Sequence, residues 1–195
     1  MPLARLFAVL AAAIVLAGCL PVTSKTPVGT TTGLSADPAL FGTWKGKNPQ
    51  DKDQRDGTIH FMQAKEGGFD IVVVLAEGSR DDGWTAFTAS SARLGDHHFL
   101  NATMTYDKGI PAEGRLKGAV IPLLYVRSGR TLTLYQIDEA AAKAAIQAGK
   151  INGTIAPGDN GDVTITADAA ELDRFMARPG AAMLFQPMLV LKRAD

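Results

Sequence analysis

Turn residues punctuate this chain at short intervals from Leu40 to Ile137, and that punctuation is the strongest constraint on its fold. Gly67-Gly68, Asp81-Asp82-Gly83, Gly95-Asp96 and Ser128-Gly129 separate runs in which apolar and polar residues alternate. A period of two sends successive side chains to opposite faces of an extended strand. Thr58 to Ala64 places Ile59 and Phe61 on one face and His60 and Met62 on the other. His97 to Tyr106 aligns Leu100, Ala102 and Met104, and Arg130 to Ile137 aligns Leu132 and Leu134. Phe69 to Ala76 holds four consecutive β-branched residues, Ile71 to Val74, which predicts a central strand buried on both faces. Phe41 to Gly46, Trp84 to Leu94, Ala119 to Val126, Val163 to Thr166 and Met188 to Lys192 also read as strands, and Pro122 predicts an edge position or a bulge.

The period changes after Ile137. Asp138 to Ala148 is rich in alanine and stops at Gly149, a helix with Asp138 as its cap. Asp168 to Glu171 has the form of a capping box. It opens a helix whose Leu172, Phe175 and Met176 share a face, ended by Arg178-Pro179-Gly180. Roughly nine short strands without regular helical crossovers predict a mainly β fold, an antiparallel barrel or sandwich with two short helices near the C-terminus.

Residues 1–18 have the anatomy of a secretory leader. Arg5 supplies the positive start, and Leu6 to Leu16 is an unbroken apolar run, short of the about 20 residues a membrane-crossing helix needs. Leu16-Ala17-Gly18-Cys19 closes the run and resembles the lipobox of bacterial lipoproteins. The resemblance implies cleavage before Cys19, a diacylglycerol thioether on its sulfur and acylation of the new amine. Leu20 in place of an aspartate implies the periplasmic face of the outer membrane. Residues 19–38, rich in Pro, Thr, Ser and Gly, read as a flexible linker. Extended at about 3.3 Å per residue, it would hold a domain over 39–195 roughly 60 Å from the lipid.

Charge and cysteine content exclude several function classes. Loss of the leader takes Arg5 from twenty basic residues and leaves nineteen against twenty acidic ones, with no basic stripe, so nucleic acid is not the expected partner. Cys19 is the only cysteine, which rules out an intrachain disulfide and a cysteine-based metal site.

Gly42-Thr43-Trp44 resembles the G-x-W motif on the first strand of lipocalins and related calycin barrels. In that family the tryptophan packs at the closed end of the barrel beneath an arginine from near the last strand. The resemblance implies a structural role for Gly42 and Trp44, with Arg193 as the partner. The family's T-D-Y signature is absent and two helices interrupt the final strands, so the chain is lipocalin-like rather than a lipocalin. The C-terminal half also resembles a group of uncharacterised bacterial lipoproteins. The matching pieces are Leu134-Tyr135-Gln136-Ile137-Asp138, the helix up to Gly149-Lys150, and Glu171-Leu172 through Phe175 to Leu184-Phe185.

No hydrolase, phosphate-loop or dinucleotide motif occurs. His97 and His98, beside Asp96, are adjacent on a strand and point to opposite faces, so they do not share a metal. His60 stands alone on its strand. Asp51-Lys52-Asp53-Gln54-Arg55-Asp56-Gly57 begins like a calcium loop. Arg55 falls where an oxygen ligand belongs and Asp56 where a glycine belongs, so the stretch reads as solvated loop. Ser79, Ser90 and Ser91 carry no local sign of activation, and Glu77, Asp82 and Glu113 are scattered carboxylates. Asn101 and Asn152 match a glycosylation pattern that a bacterial lipoprotein does not use.

The expectation is a non-enzymatic envelope lipoprotein without cofactor or metal, anchored through Cys19, whose barrel binds a small apolar ligand or lipid. The alternative is a packed, ligand-free module for protein interaction or envelope maintenance, its barrel filled by Phe61, Phe87, Leu100, Met104, Leu132 and Leu134. An open apolar cavity of about 300 Å³ or more separates the two. A hydrolase would require a nucleophile, a histidine and a carboxylate meeting in a cleft.

Overall fold

The structure, a computed structural model, describes residues 21–49, 56–75, 84–158 and 161–194. The leader with Leu16 to Cys19, residues 51–55 of the acidic loop, and Glu77, Ser79 and Asp82 lie outside the described residues. The strands are β1 (Thr23–Ser24), β2 (Gly42–Lys47), β3 (Asp56–Gln63), β4 (Phe69–Leu75), β5 (Trp84–Leu94), β6 (His97–Asp107), β7 (Ile110–Pro111), β8 (Val120–Ser128), β9 (Thr131–Ile137), β10 (Gly153–Ile155), β11 (Val163–Ile165) and β12 (Phe185–Arg193). The helices are α1 (Glu139–Gln147) and α2 (Ala169–Met176).

Eight strands form a closed antiparallel barrel in the order β2-β3-β4-β5-β6-β8-β9-β12, with β12 paired back onto β2. The expected lipocalin-like barrel with two helices is therefore present. Closure leaves none of these strands as a free edge. The seam depends on Gly46, which faces Leu191 across the β2–β12 pair. A Cβ there would fall 2.0 Å from the Val190 carbonyl oxygen, so no other residue lets the two backbones meet. Pro122 sits inside β8 opposite Asn101 of β6, one residue before the β8–β9 ladder begins at Leu123, so its missing N–H interrupts no bond to β9.

Two apolar cores lie back to back across one wall. Inside the barrel, Trp44, Ile59, Phe61, Phe69, Ile71, Leu100, Leu123, Leu132, Leu134 and Leu191 are buried together. Outside it, Phe99 of β6, Leu124 of β8 and Ile137 of β9 pack with Ala142 and Ala145 of α1, Val163 and Ile165 of β11, and Leu172, Phe175 and Met176 of α2. Period-two alternation thus feeds both cores: Leu100 points in and Phe99 out, Leu123 in and Leu124 out. The strand buried on both faces is β8, where Val120 to Tyr125 are buried throughout. The sequence pattern assigned that role to β4, whose Val74 is 40% exposed. Asp70 and Val74 on the outward face of β4 are exposed, because the helices pack against β6, β8 and β9 instead.

The expected linker over 19–38 is corrected for residues 21–38, which are part of the fold. β1 pairs in parallel with β11 and antiparallel with β8. Val22 and Val28 are buried in the outer core. The side chain of Asn101 on β6 accepts from the Val28 N–H at 2.8 Å and donates to the Val28 carbonyl at 2.8 Å. Asp173 of α2, also buried, accepts from the N–H groups of Gly29 at 2.6 Å and Thr31 at 2.8 Å and from the Thr31 hydroxyl. Small polar residues give this stretch the composition of a linker, but their backbone groups are satisfied by two buried side chains on remote elements. Asp138 and Asp168 cap the two helices as expected, accepting from Ala141 and Glu171. Glu171 does not complete a capping box and instead binds the N–H and side-chain amide of Asn152.

Removal of the Asp173 carboxylate strands buried N–H donors, a loss of about 3 kcal/mol by analogy with other hydrogen bonds to charged groups. Asp173→Ala is expected to lower the urea midpoint accordingly and to expose residues 21–33 to limited proteolysis before the barrel strands.

Candidate functional site: a barrel closed at one end and hollow at the other

The two ends of the barrel differ in chemistry. At the end where β2 starts and β12 finishes, a strap crosses the opening. Ser35 bridges to Ser91, and a 3₁₀ turn at Pro38–Leu40 drives Leu40 into the interior. Trp44 is fully buried beneath it and donates its indole N–H to the Leu40 carbonyl at 2.8 Å. Phe69 packs beside them, with its ring centroid 5.1 Å from Phe41 and 5.9 Å from Phe61. The Arg193 guanidinium lies over the Trp44 ring at 5.4 Å and donates to the Phe41 carbonyl at 2.6 Å and the Ala39 carbonyl at 3.4 Å. The structure thus brings Trp44 and Arg193 together at the base, where the cation stacks on the indole face and holds the strap by its carbonyls. Gly42 opens β2 with φ at 118°, a left-handed conformation that admits little besides glycine.

A polar hollow of about 270 Å³ lies beside the base, lined by Asp37, Asp96, His97, His98, Tyr125 and Arg127 among others. The Tyr125 hydroxyl donates to Asp37 at 2.8 Å. Burial first, then the hydrogen bond to Asp37 and its negative charge, push the phenol well above its ordinary value. Tyr125 is therefore a neutral donor at physiological pH and fastens the strap to β8. Ser91 is likewise committed: its hydroxyl donates to the Ser35 carbonyl and accepts from the Asp37 N–H. His97 packs edge-on to Phe99 and His98 lies against Tyr125, on opposite faces of β6. His60 shares a hydrogen bond with Thr43 at 3.1 Å. Asn101 is buried, with its amide oxygen and one of its N–H groups engaged by Val28, so it is no glycan acceptor. Among the described residues, no three His, Cys, Asp or Glu side chains are grouped to hold a metal ion.

Towards the opposite end, where β5 begins and β6 finishes, the interior is hollow. The cavity measures about 360 Å³. Phe61, Ile71, Phe87, Leu100, Ala102 and Met104 line it, with Ile121, Leu123, Leu134, Met188 and Leu189 completing the wall. Among the described residues, Thr85 and Gln136 are its only polar lining side chains, and none of that lining is charged. The residues expected to fill the barrel therefore separate. Leu132 packs into the base, whereas Phe61, Phe87, Leu100, Met104 and Leu134 surround open space. Val73, Thr85, Phe87, Met104, Gln136 and Met188 remain half-buried, so this end is the mouth. Pro21 sits at its lip, and its carbonyl accepts from Arg115 at 2.6 Å. Arg115 is itself paired with Asp162 at 2.8 Å. Sequence reasoning missed Pro21, because nothing local marks a residue that reaches the mouth through a parallel pairing with β11.

In comparisons with known proteins, the chain matches no family model, no curated protein and no solved structure.

The raised pKa of Tyr125 has a definite sign in stability. The fold favours the protonated phenol, so its contribution is complete below about pH 10, the ordinary tyrosine value, and is lost as pH rises through the higher folded value. Tyr125→Phe is expected to cost about 2 kcal/mol at pH 7, the worth of a hydrogen bond to a charged group. The gap between wild type and variant should narrow at pH values above that of an ordinary tyrosine, as read from urea unfolding across the alkaline range. Loss of the Arg193 fork should also loosen the base. Arg193→Ala is expected to destabilise by about 2 kcal/mol through lost stacking and strap contacts, and to make Trp44 fluorescence accessible to acrylamide.

Proposed function

We propose that this protein is a lipid-anchored envelope protein on the periplasmic face of the outer membrane, whose barrel holds a small apolar ligand. The apolar cavity carries the ligand half of this reading. Its volume of about 360 Å³ falls at the small end of the range for ligand sites. That size suits one short acyl chain or a compact apolar molecule rather than a whole phospholipid. A lining of Leu, Ile, Phe, Met and Ala side chains rewards burial of hydrocarbon at about 25 cal/mol per Å². Among the described lining residues only Thr85 and Gln136 are polar, which favours a fatty acid that enters tail first and leaves its head at the mouth. The described lining contains no titratable side chain, which favours holding over turnover. The anchor half rests on the leader and on Leu16-Ala17-Gly18-Cys19.

Mass spectrometry of lipids released from protein purified from its native host is expected to recover a stoichiometric apolar molecule. A fluorescent fatty-acid probe should bind the delipidated protein and be displaced by that molecule. Ala102→Phe places a ring in the cavity and is expected to weaken probe binding at least about tenfold, roughly 1.4 kcal/mol, with unchanged far-UV circular dichroism. Repeated recovery of the protein empty, together with no probe uptake, would overturn the carrier reading in favour of a ligand-free interaction module.

A further inference from the structure

The outer wall next to the mouth carries an apolar patch that packing does not explain. Trp84 at the start of β5 and Tyr106 at the end of β6 stack on the outside of the barrel, ring centroids 5.3 Å apart, and each is 41% exposed. Val74, opposite Trp84 on β4, is 40% exposed. Ile110, on the β7 extension of the same hairpin, is 66% exposed. Trp84 is held in place, since its carbonyl accepts from the Gly109 N–H at 3.1 Å and its ring lies over Gly109. Tryptophan and tyrosine with an apolar body and one polar atom are the side chains that settle at a bilayer's headgroup boundary.

The chain itself says what covers this patch. Pro21 lies on the lip of the same end of the barrel, where Arg115, paired with Asp162, holds its carbonyl. Cys19 is two residues away, at most about 7 Å along the backbone. A bilayer joined to Cys19 therefore lies within one headgroup layer of the mouth, and no slack remains for the barrel to stand off. We infer that the mouth end of the barrel, with Trp84, Tyr106 and Ile110, is a membrane-docking surface. The protein lies mouth-down on the bilayer that holds its anchor, so that an acyl chain passes between bilayer and cavity without crossing water. This rests on the reading of Cys19 as lipidated.

The two tryptophans make the test direct, because Trp44 is sealed in the base and Trp84 lies on the surface. The mature protein is purified from its host in detergent and reconstituted into phosphatidylethanolamine–phosphatidylglycerol vesicles, with or without bromine on the acyl chains. Brominated lipid is expected to quench the Trp84 component of the emission, and Trp84→Phe should leave an emission that brominated lipid does not change. Equal emission with both lipids would overturn the docking surface, as would quenching that survives Trp84→Phe. A Trp84 shielded from both brominated lipid and iodide, in protein that sediments as a dimer, would assign the patch to a second copy and also overturn it. Mass analysis of the N-terminal peptide reports separately on the anchor. A peptide without diacylglycerol on Cys19 refutes lipidation, and Trp84 quenching in the same vesicles still decides the surface.

Discussion

The architecture depends on one wall of the barrel that must be covered on both sides. A closed barrel can satisfy every strand edge and bury its inward side chains, yet it leaves the outward ones to solvent. Strands β6, β8 and β9 point Phe99, Leu124 and Ile137 outward, and all three are buried. Apolar area of that kind is worth about 25 cal/mol per Å² only if something lies on top of it. The outer layer exists for this purpose. Helices α1 and α2, the short strands β10 and β11, and the stretch around Val22 and Val28 form the second core against that wall. On the side around β4, Asp70 and Val74 are exposed and the two helices do not pack.

That requirement also fixes the path of the N-terminal segment. To cover the wall, the chain runs from Pro21 at the mouth, past β8 and β11, through the Asp173 and Asn101 contacts, and across the base at Asp37 to Leu40 before entering β2. The same stretch therefore closes one end of the barrel and begins at the lip of the other. At the base the residues are large and interlocked: Trp44, Phe69, Leu40 and Leu132 are all fully buried. Nearer the mouth, Ala102, Thr85 and Val73 are too small to meet across the interior, and a cavity results.

Much of this was legible in the residues. Alternation in Ile59/Phe61, Leu100/Ala102/Met104 and Leu132/Leu134 placed the inward faces, because a period of two is a local property of extended backbone. Asp138, Gly149 and Asp168 marked helix ends for equally local reasons, as capping needs only a side chain within reach of its own first turn. The β-branched run Ile71 to Val74 misled, since β-branching favours a strand irrespective of what lies outside it. The composition of residues 21–38 misled likewise. Whether a polar, glycine-containing stretch is a tether or a strap depends on remote partners, here Asn101 and Asp173, that composition does not encode.

The sequence by itself determined the strand and helix segments, the inward residues and the chemistry carried by its motifs: a near-neutral polypeptide with one cysteine and no hydrolase, phosphate-loop or dinucleotide motif. These follow from neighbours along the chain and from side-chain identity. Tertiary structure alone decided that the barrel closes through Gly46, that β8 rather than β4 is buried on both sides, that residues 21–38 belong to the fold, and that the interior is solid at Trp44 and hollow at Met104. Each of these is a property of packing between segments far apart in the chain. Volumes, seams and exits are set by which backbones approach one another, and no single stretch of sequence carries that information.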